Sequence, residues 1–94
     1  MDFSELAARY DARKSFYGKA QVETVTAGGE EIFLNLYSYG TLVARIFNFL
    51  DGKRAEVYNL QSATTLRHVR EFLKQNDFPA DSKSDITKLY FVET

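Results

Sequence analysis

The sequence predicts an α+β domain: a four- to five-stranded antiparallel meander with one amphipathic helix packed on a face and a short N-terminal helix. Three observations predict it. Between residues 15 and 60, four segments alternate apolar and polar side chains, the period of a half-buried strand. Glycine-bearing turns separate them, as hairpins require. Ser62–Gln75 then changes to the helical period, with Ala63, Leu66, Val69, Phe72 and Leu73 on one apolar stripe.

Residues 2–12 read as the N-terminal helix. Asp2 with Glu5 has the form of a capping box, and Phe3, Leu6, Ala7 and Tyr10 line one side. So short a helix is marginal unless it docks. In Ser15–Thr26, Phe16, Gly18, Ala20 and Val22 share one face, and Gly18 marks a bulge or a close backbone approach. Ala27-Gly28-Gly29-Glu30 reads as a hairpin turn. The next strand, 31–39, points Ile32, Leu34 and Leu36 inward. Gly40 gives a break or tight turn, and a third strand runs over 41–50 with Leu42, Ala44 and Ile46 alternating. Asp51-Gly52 is the strongest two-residue hairpin signal, and Arg54–Leu60 makes the fourth strand.

In the main helix, 62–75, Ser62 is the expected N-cap, with Thr64 as the alternative. Thr64, Arg67, His68, Glu71, Lys74 and Gln75 fall on the polar side. Asn76 or Asp77 can take the left-handed position after the helix, and Pro79 prevents its resumption. Arg70 breaks the pattern, projecting about 40° from Leu66, inside the apolar arc. It must snorkel, pair with a strand carboxylate such as Glu56, or hold an anion. Residues 80–85 read as a loop. Residues 86–93 alternate again and predict an edge strand.

Ninety-four residues make one domain, 1–94. The net charge of −1 argues against a general DNA coat or a polyanion mimic. Without cysteine there is no disulfide framework or thiolate chemistry, and the single His68 cannot build a zinc site, so no metal or cofactor is expected. No apolar run approaches the ~20 residues that span a bilayer, and no signal peptide opens the chain, so a cytoplasmic protein without a membrane partner is expected.

Glycine-rich nucleotide loops, a nucleophile elbow and paired catalytic acids are missing. His68 with Thr64 one turn earlier is the only hydrolase-like pair, and a lone histidine on a polar helix face is usually surface; no enzyme is expected. Three clusters suit binding instead. Arg13, Lys14, Ser15 and Lys19 surround Phe16 and Tyr17, a mixture that can hold phosphate and stack a base. Tyr37, Ser38, Tyr39 and Thr41 form the second. Thr64, Thr65, Arg67 and His68 form the third, at a helix N-terminus that favours anions. They converge if the helix starts beside the end of the second predicted strand. Each alone reads better as core or edge packing.

Eight Phe and six Tyr are more than one helix-covered face can bury. Tyr17, Phe33, Tyr37, Tyr39, Phe47 and Tyr58 have the parity for the opposite face. The N-terminal helix, a second subunit or a stacked ligand would have to cover them. A two-fold homodimer is the simplest remedy, and it would bring two copies of the 13–19 segment together.

Three blocks, ARKSFYGKA (12–20), LYSYGTLVA (36–44) and SATTLRHVREFLKQ (62–75), resemble a family of short, uncharacterised phage and prophage proteins of Gram-positive bacteria. The resemblance covers residues 10–78. It brings no functional residues, and implies a phage origin and the cytoplasm of a bacterial host. With it, the leading expectation is a non-enzymatic protein that counters host defence by binding. It would sequester a nucleotide signal or inhibit a defence nuclease. A single-stranded nucleic-acid module and a phage structural or assembly protein are the alternatives.

Overall fold

The computed structural model describes residues 2–11, 16, 18–49 and 52–92. Its five strands form one antiparallel sheet in sequence order: β1 Asp2–Glu5, β2 Ala20–Ala27, β3 Glu30–Ser38, β4 Thr41–Phe49 and β5 Gly52–Val57. Two helices follow, α1 Ala63–Gln75 and α2 Lys83–Tyr90. Neither is long and apolar enough to cross a membrane.

The period-2 pattern works as read for the central strands. Two cross-strand rows, Val22–Leu36–Ala44–Val57 and Leu34–Ile46–Ala55, carry the sheet's side of the core. Val69, Phe72 and Leu73 of α1 and Ile86 of α2 join the same cluster, each at most 1% exposed. The alternate rows are Phe3–Glu23–Asn35–Arg45–Glu56 and Val25–Phe33–Phe47–Arg54, and none of their residues enters that core. A bulge where Leu36 pairs with Ala44 but Tyr37 with Leu42 leaves Val43 as the extra residue.

Helix α1 begins and ends on its predicted caps. The Ser62 hydroxyl accepts from the Thr65 N–H at 3.0 Å. At the other end Asp77 takes positive φ, 67°. The Phe78 N–H donates to the Leu73 carbonyl and the Asp77 N–H to that of Lys74, the paired bonds of a Schellman stop.

Four expectations are corrected. The helix expected over 2–12 is not found in the described residues 2–11: β1 pairs with β2, Phe3 opposite Glu23, and Leu6 then turns into the core. A marginal helix loses to an unpaired sheet edge offering backbone hydrogen bonds. The strand expected over 86–93 is not found in the described residues: α2 occupies 83–90, capped by Ser82, whose hydroxyl accepts from the Asp85 N–H. Its short alternation fitted two periods, and the cap decided between them. Strand β2 begins at Ala20, because Gly18 at φ 75° sits in a turn closed by the Lys19 N–H on the Phe16 carbonyl. Gly52 belongs to β5 and pairs with Phe49, so it is not the second turn residue; Asp51 lies outside the described residues.

Candidate functional site

The hairpin β3–β4 turns on Tyr39 and Gly40, both at positive φ, 52° and 81°. That is the signature of a type I′ turn, which matches the twist of the strands it joins. Glycine or asparagine normally fills the first position. A tyrosine there costs about 1–2 kcal/mol of backbone strain. Four contacts hold it in place. The Tyr39 N–H donates to the Lys19 carbonyl at 2.8 Å. Ser38, just before it, places its Oγ 2.7 Å from His68 Nδ1 and 3.3 Å from Thr65 Oγ1. The Tyr39 ring lies tilted over the His68 ring, centroids 5.9 Å apart.

Despite this anchoring the Tyr39 ring is 59% exposed. It borders a groove of about 570 Å³ lined also by Phe3, Gly18, Lys19, Gln21, Tyr37 and Gly40. The Lys19 Nζ stands 5.8 Å from the Tyr39 ring centroid. Phe3 and Tyr37 add a ring pair to the groove wall, centroids 5.9 Å apart. The Tyr37 hydroxyl donates to Glu23 Oε1 at 3.1 Å. Burial, then that hydrogen bond and the Glu23 charge, push its pKa up, so it stays a neutral donor. Among the described residues the groove thus offers apolar ring faces, one ammonium and the polar Gln21.

His68 is not on a polar surface as the pattern predicted. It is 1% exposed, with the edge of Phe16 against it at 4.7 Å. Burial lowers its pKa and the Asp11 charge partly opposes this, so the ring is neutral near pH 7. Glu71 was also expected on the polar side and is buried. Its Oε1 accepts the backbone N–H groups of Arg9, Tyr10 and Asp11 at 3.0, 2.7 and 3.1 Å, and its Oε2 accepts from Gln75. The 9–11 loop laid along α1 makes a second buried flank that helical periodicity could not show.

The structure therefore divides the predicted site residues. Lys19, Tyr37 and Tyr39 meet in the groove, with Thr41 exposed just past the turn. Thr64 is exposed on the first turn of α1. The start of α1 does lie beside the end of β3, through Ser38, Thr65 and His68, but Arg67 and Arg70 line a different cavity with Tyr10, Asp11, Glu71 and Lys74. Arg70 does not pair with Glu56, which faces the other side of the sheet and binds Tyr58 and Arg54. Arg13, Lys14, Ser15 and Tyr17 lie outside the described residues. Their described neighbours Asp11 and Gly18 line the two cavities. Phe3 was missed because residues 2–12 read as a helix, and Gln21, on the predicted strand, carried no signal of its own. Among the described residues no three His, Asp or Glu side chains gather as a metal site.

Residues 4–88 match the model of a family of unknown function, DUF8033. No curated protein and no solved structure matches the chain.

Proposed function

This chain belongs to that family of unknown function, and we propose that it works by binding, without catalysis, a nucleotide-class ligand in the groove beside Tyr39. The observation that carries the reading is Tyr39 itself. An exposed aromatic ring is held at a backbone angle that a smaller residue would adopt at less cost. A base stacks on the Tyr39 ring against the Phe3–Tyr37 wall, and Lys19 meets its phosphate. Catalysis by the Ser38–His68 pair is disfavoured by access: Ser38 is 2% exposed and His68 Nε2 has no partner to orient it.

That the ligand is a host signal sequestered on behalf of a phage in the bacterial cytoplasm rests on the resemblance of the three sequence blocks. Binding of a nucleic-acid strand across the rest of the open sheet face is the weaker reading. Arg45 lies 4.7 Å over Phe33 and Arg54 4.8 Å over Phe47, where bases would have to stack. The same cover leaves less for a second copy to bury. A homodimer, readable by light scattering, is therefore compatible with the proposal and not required by it.

Calorimetric titration with a panel of linear and cyclic nucleotides tests the reading. Heat is expected with at least one of them. Tyr39→Asn should weaken that ligand by about 1–3 kcal/mol, the worth of one stacked base. No heat with any nucleotide, or equal affinity in the variant, rejects it.

A further inference from the structure

A second cavity, of about 210 Å³, lies between the 9–11 loop and α1. Arg67, Arg70 and Lys74 line it from successive turns of one helix face, and Tyr10 lines it from the loop. Two carboxylates also line it, and both are already engaged. Glu71 spends Oε1 on three backbone N–H groups and Oε2 on Gln75. Asp11 stands 3.8 Å from Arg67. Neither reaches Arg70 or Lys74 within ion-pair distance, and among the described residues no other acid does. The Arg70 Nε–H is buried without an acceptor among the described residues. A buried charged donor left unmade costs about 1–3 kcal/mol or more, a defect that folded chains rarely keep without a use.

We propose that this cavity is a binding site for a phosphoryl-class oxyanion, separate from the groove at Tyr39. A tetrahedral dianion meets the Arg70 guanidinium where it lines the cavity, and Lys74 supplies the second charge. Arg67, held by Asp11, borders the site from the adjoining turn. The cavity suits inorganic phosphate or a terminal phosphate monoester, whose three oxygens match converging cations better than one carboxylate does. This inference stands without the nucleotide reading, since among the described residues it shares no lining residue with the groove.

The test is a titration of the ¹⁵N-labelled full chain with sodium phosphate, against sodium chloride at matched ionic strength, reading the arginine Nε–H resonances. One resonance, assigned by its loss in Arg70→Lys, should shift saturably with phosphate and not with chloride. By backbone amide shifts of the 9–11 loop, Arg70→Lys should bind phosphate about tenfold or more weakly although its charge is kept. Lys74→Gln, on a half-exposed position, should weaken it as well. Repeating the titration with a nucleoside monophosphate on Tyr39→Asn separates the sources: saturation there assigns the site to phosphate esters too, while response to inorganic phosphate alone restricts it to the free ion. An Nε–H resonance that stays still, or one that moves equally with chloride, overturns the proposal whatever the groove binds.

Discussion

The two hairpin turns that flank β3 share a backbone and differ in everything around it. Gly28 and Gly29 turn at φ 62° and 83°, Tyr39 and Gly40 at 52° and 81°. The first turn stands in solvent, with Ala27 and Glu30 exposed on either side. The second is tied down: Ser38 is 2% exposed against His68 and Thr65, and the Tyr39 N–H is bonded to Lys19. The relaxed turn is loose and the strained turn is anchored. Strain survives only where surrounding contacts over-determine the geometry, and such places cluster at functional sites. The Gly-Gly turn is thus an internal control for what Tyr39 costs.

Removing the anchor should have the largest effect. Ser38→Ala leaves His68 Nδ1 buried without its partner, in a ring whose Nε2 already has none. The expected cost is about 1–3 kcal/mol by urea unfolding. Ala27→Ser, the equivalent place in the other hairpin, should change stability by less than about 0.5 kcal/mol. Equal effects at the two positions would mean that the second turn is not anchored as described.

Transplanting the strain comes next. Gly28→Tyr puts a tyrosine where the control turn has none, at φ 62°, with open space around its Cβ. The loss should be about 1–2 kcal/mol from the backbone alone. Affinity at the groove should not move. A Gly28→Tyr protein as stable as the parent would show that this sheet tolerates tyrosine at any such turn, and Tyr39 would need no explanation.

The anchor also sets a pH dependence. Unfolded, His68 titrates near 6.5; folded, burial holds it lower against a smaller opposing pull from Asp11. Just below 6.5 the unfolded chain therefore binds more protons, and stability falls as the pH drops toward the folded value. Above about 6.5 this contribution is complete, and below the folded value it declines no further. The urea midpoint should be lower at about pH 5.5 than at about pH 7.5, with the difference reduced in His68→Phe. A slope that persists in His68→Phe would assign it to other groups.

Most of the sheet was legible, because Val22, Leu34, Leu36, Ala44, Ile46 and Val57 alternate cleanly and only one face is core. The ends were not. Residues 2–12 and 86–93 are too short for periodicity to choose between helix and strand. Partners decided the first, through the edge of β2, and a cap the second, through Ser82. In the site, the aromatic and basic character of Lys19, Tyr37 and Tyr39 could be read, since side-chain chemistry is local. The burial of His68 and Glu71 could not, since it depends on Phe16 and the 9–11 loop lying over the polar side of α1. Nor could the backbone angle of Tyr39. A Tyr-Gly pair gives no sign of a left-handed tyrosine, because glycine alone is the usual signal and sits second here.

The smallest expected effect is a gain. Tyr39→Asn leaves the turn with Asn-Gly, the pair that fits a type I′ hairpin best. It removes about 1–2 kcal/mol of backbone strain. It also forfeits the Lys19 contact, worth about 0.5–1 kcal/mol at an exposed site, and the tilted packing on His68. The balance is a stabilisation of up to about 1 kcal/mol, or about 4–8 °C in Tm for a domain of this size. The same variant is the one expected to lose the ligand, so a single substitution should raise stability and lower affinity together. That opposition distinguishes a functional residue from a structural one, because a ring kept for packing would lose both. Scanning calorimetry on the ligand-free protein decides it. A Tm below that of the parent would mean that Tyr39 serves the fold by covering His68, and the contrast between the two hairpins would then describe packing alone.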